Sequence, residues 1–269
     1  MTGKTPRSEP ADGPAGVSAP LSRAAQIIDA VAVEPEGLPL HRISAAVSLP
    51  TSTTHRLVKS LVAIGYLSTE DTSKTYRLGR RLLRAFHAAF GAPNLQALVE
   101  PVLTRLVKEF GHVFYVNQLV ADQAQLVAFA IPPMAERTLV VPGEYSPIHA
   151  TAMGKAIFAF EDEPAILRRL SQPMQKFQPN TVTDPHAVRR ELALVKERGY
   201  AVSRSEYEQG VTAIAVPIEI APVGAIFAVG ATGLESVMFE SRTLEDFVQA
   251  LREAASEIKI ELTQHYQHL

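Results

Sequence analysis

The chain of 269 residues contains no cysteine. Disulfide bonds, thiolate zinc sites, iron–sulfur clusters and cysteine nucleophiles are therefore excluded. The absence also agrees with a cytoplasmic location, where disulfides are rare. No cluster of convergent metal ligands stands out among the remaining residue types, so we predict neither a metal site nor a cofactor.

Long apolar runs are missing as well. No run approaches the roughly 20 residues that a membrane-spanning helix needs, so we expect no contact with a membrane. Residues 1–20 also lack the apolar stretch and the cleavage signature of a signal peptide. They are rich in Gly, Pro, Ala and Ser, a composition that predicts a disordered tail.

The signatures of common catalytic sites do not occur either. The sequence has no Gly-x-Ser-x-Gly elbow, no His-Glu-x-x-His motif and no phosphate-binding loop, so we predict that the protein is not an enzyme. His149 is predicted to be a structural hydrogen-bonding residue. Lys155 is predicted to face solvent or an interface, and Glu206 and Glu208 to lie in a solvated loop.

Net charge is small, at −2, but it is unevenly distributed along the chain. Residues 21–90 hold nine Lys and Arg against five Asp and Glu, whereas residues 91–269 hold fifteen against twenty-one. A basic block that precedes an acidic body indicates that one part of the protein meets a polyanion.

Apolar spacing divides the basic block into short elements with the layout of a winged helix-turn-helix, which is a helix, a tight turn, a second helix and a hairpin. Pro50 suits the first position of a helix, and Gly65 suits its end. In chain order, the predicted elements are helices over Leu21–Val33, Leu40–Val47 and Pro50–Ile64, then strands over Tyr66–Ser68 and Thr75–Leu78.

The third of these helices is predicted to bind double-stranded operator DNA. Its polar residues share one face at helical spacing, and its apolar residues share the opposite face. Arg56 could read guanine through its two-pronged donor geometry, whereas lysines are better phosphate neutralisers. The residues in its first turn could hold a phosphate on free backbone N–H groups. The predicted DNA-binding residues are Thr51, Ser52, Thr53, His55, Arg56, Lys59, Lys74 and Arg77.

The remainder of the chain alternates strand-like and helix-like runs, which predicts an α+β domain around one sheet. We predict a tail over residues 1–20, a DNA-binding domain over 21–79, a linker helix over 80–93 and an effector-binding domain over 94–269. Within the last, we predict helices over 95–110, 153–160, 186–198 and 239–265, and strands over 113–120, 125–131, 138–141, 212–220 and 223–231.

Motifs in both parts of the chain resemble the isocitrate lyase regulator (IclR) family, in the family's order and over nearly everything after residue 20. In the first part they are Leu21-Ser22-Arg23-Ala24, Leu49-Pro50-Thr51-Ser52-Thr53-Thr54-His55-Arg56-Leu57, Gly65-Tyr66-Leu67 and Tyr76-Arg77-Leu78-Gly79. In the second part they are Pro147 to Ala156, Thr183-Asp184-Pro185, Gly199-Tyr200-Ala201 and Ala213 to Pro217.

The resemblance implies an effector-controlled transcription regulator. It implies a homodimer or a dimer of dimers on a roughly palindromic operator. It also implies that the second domain is GAF-like and binds a small organic acid or an aromatic metabolite. A sensory module whose N-terminal domain binds a protein partner instead of DNA remains the alternative.

Several positions depart from the family's pattern. Many relatives carry Lys at the position of Thr51, which changes the base sequence we expect. Relatives often place Asp, Cys and Ser at the positions of Ser203, Ala213 and Gly230, whereas Thr232 keeps a hydroxyl. Because Ala213 and Gly230 offer room and no hydrogen bond, we predict a larger, more apolar effector such as an aromatic acid.

The predicted effector site combines a loop with the walls of a pocket. Backbone N–H groups before a helix that starts near Gly154 could hold the effector's carboxylate. The predicted effector-binding residues are Ala150, Thr151, Ala152, Met153, Gly154, Ser203, Ala213, Gly230, Thr232, Phe129, Leu139 and Val141. Phe114 is a further candidate wall residue, and ordinary core is the alternative for Phe114, Phe129, Leu139 and Val141.

Overall fold

The computed structural model describes residues 18–34, 36–69, 74–90, 95–120, 123–133, 145–221 and 223–267. It divides the chain into two compact units, an N-terminal unit up to Leu83 and a C-terminal unit from Arg84. Leu139 and Val141, together with the predicted strand 138–141, lie outside the described residues. So does the predicted tail up to residue 17.

The N-terminal unit is built from three helices and three short strands. Its first helix begins at Ala19, two residues before the predicted start, and Pro20 is tolerated in the first turn because no N–H is needed there. The elements are α1 (Ala19–Ala32), β1 (Leu38–Pro39), α2 (Leu40–Ala46), α3 (Thr51–Ala63), β2 (Leu67–Thr69) and β3 (Thr75–Leu78). The helix α4 (Arg80–Phe90) then leads into the C-terminal unit.

A single apolar cluster holds the N-terminal unit together. All three helices and two of the strands contribute to it, because each buries one face in the periodic pattern of its sequence. The three strands form an antiparallel sheet in the order β1-β3-β2, in which β3 is central. The cluster consists of Ile27, Val31, Leu38, Ile43, Val58, Leu61 and Leu67.

The C-terminal unit is α+β, as predicted, around one six-stranded antiparallel sheet with the strand order β6-β5-β4-β9-β8-β7. Its helices are α5 (Leu95–Phe110), α6 (Ala152–Phe158), α7 (Glu163–Leu170), α8 (Pro185–Arg198), α9 (Glu235–Met238) and α10 (Leu244–Gln267). Its strands are β4 (Val113–Val120), β5 (Gln123–Ala130), β6 (Tyr145–Ser146), β7 (Ala201–Arg204), β8 (Val211–Ile220) and β9 (Gly224–Leu234).

Helices α6 and α10 cover opposite faces of this sheet. A Cβ atom built at Gly230 would lie 2.9 Å from Cε of Met153, so Gly230 faces α6. Its neighbour Ala231 pairs with Phe114, whose ring stacks on Phe247 of α10 at 6.5 Å. Because successive strand residues point to opposite faces, the two helices lie on different sides. We call the side that carries Gly230 the α6 face.

Phe114 is therefore not a wall of a pocket on the α6 face. Its ring is fully buried on the α10 side, where it also meets Phe110 edge-on at 5.7 Å. Of the two alternatives for Phe114, ordinary core is therefore the correct one, because strand residues alternate and a step of one position moves a side chain to the other face. Tyr115, the next residue, lies on the α6 face because it pairs with Gly230.

Candidate DNA-binding and effector sites

The exposed face of α3 carries most of the predicted DNA-binding residues. Thr51, Ser52, His55, Arg56 and Lys59 are all exposed, and Thr53 is half-buried. The opposite face packs into the core through Thr54, Val58 and Leu61. The two faces that the sequence spacing predicts are thus those that the structure has. The outward face presents hydroxyls, an imidazole and two cations.

The first turn of α3 leaves its backbone donors without a side-chain cap. Pro50 occupies the capping position and supplies no side-chain acceptor, and the Thr54 hydroxyl donates to the carbonyl of Pro50 at 3.2 Å. The first N–H groups of a helix have no partner within the helix, and its N-terminus carries partial positive charge. This end of α3 is therefore suited to an anion.

We call the hairpin formed by β2 and β3 the wing. Its two predicted DNA-binding cations, Lys74 and Arg77, lie in different environments. Lys74 is exposed and has a φ of 49°. Arg77, by contrast, donates through Nε to the carbonyl of Glu36 at 3.1 Å and lies 3.7 Å from that residue's carboxylate. Arg77 thus connects the wing to the segment after α1, and its contact with DNA stays a prediction.

The loop before α6 satisfies much of its own hydrogen bonding. The Thr151 hydroxyl accepts from the N–H of Gly154 at 3.1 Å and donates to the carbonyl of Pro147 at 2.9 Å. The N–H groups of Ala150 and Thr151 also donate to Pro147. Of the predicted carboxylate-binding groups, the N–H groups of Ala152 and Met153 in the first turn have no such bond.

The room that Gly230 was expected to provide is occupied. A Cβ there would lie 2.5 Å from the carbonyl oxygen of Ile214 in β8, so the strands approach too closely for a side chain. The Cε methyl of Met153 fills the remaining space beside it. Methionine is a flexible, polarizable residue type that adapts to irregular gaps.

The predicted hydroxyl contacts lie on the α6 face but are engaged within the protein. Ser203, Ala213 and Thr232 occupy paired positions on β7, β8 and β9 and so share one face. The Ser203 hydroxyl donates to the carbonyl of Ala150 at 2.9 Å, and the Thr232 hydroxyl donates to that of Thr212 at 3.2 Å. Each hydroxyl keeps only acceptor capacity for a ligand.

Aromatic residues complete the predicted surroundings on β4 and β5. Phe129 pairs with Tyr115, so both belong to the α6 face. Phe129 also borders a surface cavity of about 620 Å³ beside α5. Burial raises the pKa of the Tyr115 phenol, which keeps it protonated. Tyr115 was not predicted as a residue of the effector site, because a tyrosine inside an apolar strand resembles an ordinary core residue.

Lys155 is buried in an ionic cluster, contrary to the prediction that it faces solvent or an interface. Its side chain is 1 % exposed, and its Nζ donates to Glu191 at 2.7 Å and to both carboxylate oxygens of Glu206 at 2.7 and 2.6 Å. The predicted solvated position of Glu206 is therefore also wrong. Burial raises the pKa of the Glu206 carboxyl, and Lys155 opposes that rise.

His149 is a structural hydrogen-bonding residue, as predicted. Its Nε2 lies 2.8 Å from the carbonyl of Gln175, which can only accept, so the proton sits on Nε2. The ring stacks on Phe177 at 5.9 Å, and Nδ1 is buried with no hydrogen-bond partner among the residues that the structure describes. Burial lowers the pKa of this imidazole, which keeps it neutral.

Asn117 is a buried polar residue that the sequence analysis missed. It is 0 % exposed on β4, and its Nδ2 donates to the Ser146 hydroxyl at 2.9 Å. Within the described ranges, its Oδ1 has no hydrogen-bond partner. The signal was present in the sequence, because an amide directly follows the apolar residues 113–116 in the strand Val113–Val120.

In the part of the chain that the structure describes, His, Asp and Glu residues form no group that could hold a metal ion. No helix there combines the length and the apolar character that crossing a bilayer requires.

Comparison with known proteins identifies the family. Residues 20–71 match the IclR helix-turn-helix domain, and residues 87–260 match the bacterial transcriptional regulator IclR C-terminal domain. The chain is 32 % identical to the DNA-binding transcriptional repressor YiaJ of Escherichia coli K12, over 76 % of this chain and 74 % of that protein. It is 30 % identical to the transcriptional regulator BhcR of Paracoccus denitrificans, over 88 % and 85 %.

A solved structure supports the same assignment. An IclR homolog from Microbacterium hydrocarbonoxydans, complexed with 4-hydroxybenzoate, is 27 % identical, with a TM-score of 0.58 over 91 % of this chain and 100 % of that chain. Members of this family are transcriptional regulators and not enzymes. The chain therefore belongs to the IclR family and is a DNA-binding transcriptional regulator of the IclR type.

Proposed function

We propose that this regulator binds double-stranded operator DNA through α3 and the wing, and that a small aromatic or relatively apolar organic acid controls it. The observation that carries the first half is the exposed face of α3, where Ser52, His55, Arg56 and Lys59 align while Val58 is buried. As a regulator of bacterial transcription it would act in the cytoplasm, as a homodimer or a dimer of dimers.

We assign different roles to the DNA-binding residues. Arg56 is the base reader, since its guanidinium can donate two hydrogen bonds to guanine. Lys59 and Lys74 neutralise phosphates, and the uncapped first turn at Thr51 to Thr53 holds another phosphate. Arg77 has a structural role in this proposal, because it is bonded to Glu36.

Sequencing the DNA that the purified protein retains tests this half of the proposal. Fragmented genomic DNA is passed over the immobilised full chain, with and without candidate acids. We expect a small set of fragments that share a roughly palindromic sequence. If retention shows no sequence preference, the regulator reads no operator through α3. If a protein is captured and no DNA is retained, the N-terminal unit binds protein instead.

The effector site of the proposal lies on the α6 face, between the loop at Ala150 to Gly154 and the strands β4 and β9. Three side chains there favour an apolar ring, namely Met153, Phe129 and Tyr115. The homolog from Microbacterium hydrocarbonoxydans was solved with an aromatic acid, 4-hydroxybenzoate. In our proposal Met153 moves away from Gly230, and the N–H groups of Ala152 and Met153 receive the carboxylate.

A thermal-shift comparison separates effector classes. Benzoate and 4-hydroxybenzoate represent aromatic acids, and malonate and succinate represent small dicarboxylates. A ligand that binds only the folded state raises the melting temperature with its concentration. We expect the aromatic acids to do so and the dicarboxylates to have little effect. Stabilisation by the dicarboxylates alone would end the aromatic proposal.

A further inference from the structure

On the α6 face, Asn117 carries a buried acceptor that no described residue satisfies. Asn117 is fully buried, and its Nδ2 donates to the Ser146 hydroxyl, whereas its Oδ1 has no hydrogen-bond partner within the described ranges. The large majority of buried side-chain polar atoms in native structures are hydrogen-bonded, because an unpaired one is costly. Such an acceptor, on a face proposed to bind a ligand, is a site where a donor group of the ligand would be stabilised.

Strand register places Asn117 beside the proposed effector site. Tyr115 pairs with Gly230, which abuts Met153, and Asn117 follows Tyr115 by two residues on the same face. Two residues along a strand correspond to about 7 Å. Asn117 is therefore at the far side of the site from the point where Met153 meets the sheet.

The hydrogen bond to Ser146 also shows that the sheet curls toward this face. Strand β5 lies between β4 and β6, so in a flat sheet the two backbones would be roughly 10 Å apart or more. The side chains of Asn117 and Ser146 are too short to bridge that gap, yet they meet at 2.9 Å. The curl makes this side concave, which is the shape of ligand sites.

We propose that Asn117 is a specificity residue whose Oδ1 accepts a hydrogen bond from a donor group on the effector. The effector class is thereby narrowed to aromatic acids with a hydroxyl or amino group on the ring edge away from the carboxylate. This inference rests on the aromatic effector proposed above. Ser146 orients the amide by holding Nδ2, so that Oδ1 remains available.

Calorimetric titration with three matched probes tests the proposal on the full-length protein. The probes are benzoate, which has no second polar group, 4-hydroxybenzoate, which has a donor, and 4-methoxybenzoate, which keeps the oxygen without the proton. We expect 4-hydroxybenzoate to bind about tenfold or more tightly than the other two, since losing a donor leaves Oδ1 unpaired. Equal affinity for benzoate and 4-hydroxybenzoate would overturn the inference and leave the aromatic effector standing.

Variants then locate the preference at Asn117. Asn117→Leu should lose the preference for 4-hydroxybenzoate over benzoate, because the acceptor that distinguishes the two probes is gone. The matched control is Gln118→Leu, because Gln118 is the next residue and points to the other face. If Asn117→Leu still binds 4-hydroxybenzoate more tightly than benzoate, the assignment of Asn117 as the specificity residue is overturned.

The comparison of the three probes on the wild-type protein does not depend on whether Asn117→Leu folds. Ser146→Ala supplies a second variant, since it removes the partner of Nδ2 and leaves Oδ1 in place. We expect Ser146→Ala to keep a preference for 4-hydroxybenzoate, and loss of that preference would contradict the role given to Oδ1. If no aromatic acid binds the wild type, both this inference and the aromatic effector are overturned.

Discussion

At the scale of single residues, Lys155 is held tightly. It is buried between two carboxylates that come from different elements, Glu191 on α8 and Glu206 after β7. Its removal would leave two partly buried like charges, 26 % and 12 % exposed, without their counterion. We predict that Lys155→Met lowers the free energy of unfolding by about 3–5 kcal/mol, measured by urea denaturation at pH 7.

An exposed lysine provides the control for this prediction. Lys176 is exposed, so Lys176→Met should change the free energy of unfolding by no more than about 0.5 kcal/mol. If Lys155→Met proved as mild as Lys176→Met, the cluster would be far more hydrated than its burial indicates.

His149 makes the stability of the protein depend on pH. Burial, reinforced by Arg169 and Lys155, lowers the pKa of its imidazole in the folded state. The unfolded chain therefore takes up a proton first, near the ordinary pKa of about 6.5. The stability that His149 contributes is complete above that pH and is lost as the pH falls toward the lowered pKa.

We predict that His149→Gln reduces the loss of stability between pH 7 and pH 5. The free energy of unfolding of this variant should still fall between pH 7 and pH 5, because burial also lowers the pKa of His112. His186→Gln is the control, since His186 is exposed at the start of α8. Urea denaturation at several pH values measures the slopes. A slope that His149→Gln leaves unchanged would contradict the buried neutral ring.

At the scale of elements, Gly79 allows the wing to pack against the end of α3. A Cβ at Gly79 would lie 2.2 Å from the carbonyl oxygen of Gly65. We predict that Gly79→Ala lowers the free energy of unfolding by more than about 2 kcal/mol, because backbone must move. Gly111→Ala should lower the free energy of unfolding by only about 1 kcal/mol. The positive φ of 73° is strained for a residue with a side chain, but a Cβ there would contact no other atom within 4 Å. Thermal denaturation compares the two.

Elements with a long periodic pattern could be predicted from the sequence. The faces of α3 and the strands β4, β8 and β9 follow directly from apolar spacing. β1 and β7 were missed because they have only two and four residues, too few to show a periodic pattern. The partner of β1 also lies far along the chain, in β3, whereas β7 pairs with the next strand, β8. The helix α7 was also missed, although Asp162 caps it and Pro164 sits in its first turn. Such short elements depend on tertiary packing for their stability.

The two candidate sites differed in how far the sequence could predict them. An exposed face on one helix is a local property, so the position of Arg56 and Lys59 was predictable. The effector site depends on contacts between distant strands and loops, which local spacing does not encode. Lys155 illustrates this, because its partners Glu191 and Glu206 are 36 and 51 residues away.

At the scale of the whole molecule, the linker helix α4 makes side-chain contacts with the segment that directly follows α6. Arg84 of α4 forms a buried ion pair with Glu161, just after α6, and donates to the carbonyl of Val223 at 3.3 Å.

We predict that this ion pair behaves as a coupled unit in a double-mutant cycle. Arg84→Met and Glu161→Leu should each lower the free energy of unfolding by about 3–5 kcal/mol, since each leaves a buried charge unpaired. The double variant should lose less than the sum of the two, because no unpaired charge remains. Strictly additive losses, measured by urea denaturation, would show that the two charges do not interact.

The central claim is that the outward face of α3 reads DNA, and the binding of two single variants tests it. Arg56→Ala should weaken binding to the selected operator by about 1–3 kcal/mol and reduce its preference over a shuffled sequence. Lys74→Ala should weaken binding to both sequences alike and reduce the slope of log affinity against log salt by about 0.9.

Fluorescence anisotropy titrations of both DNA sequences, at several salt concentrations, make this measurement. We predict that Arg56→Ala changes the ratio of operator to shuffled affinity and that Lys74→Ala leaves this ratio unchanged. An operator preference that Arg56→Ala does not alter, or an affinity that does not fall with salt, would contradict DNA reading by α3.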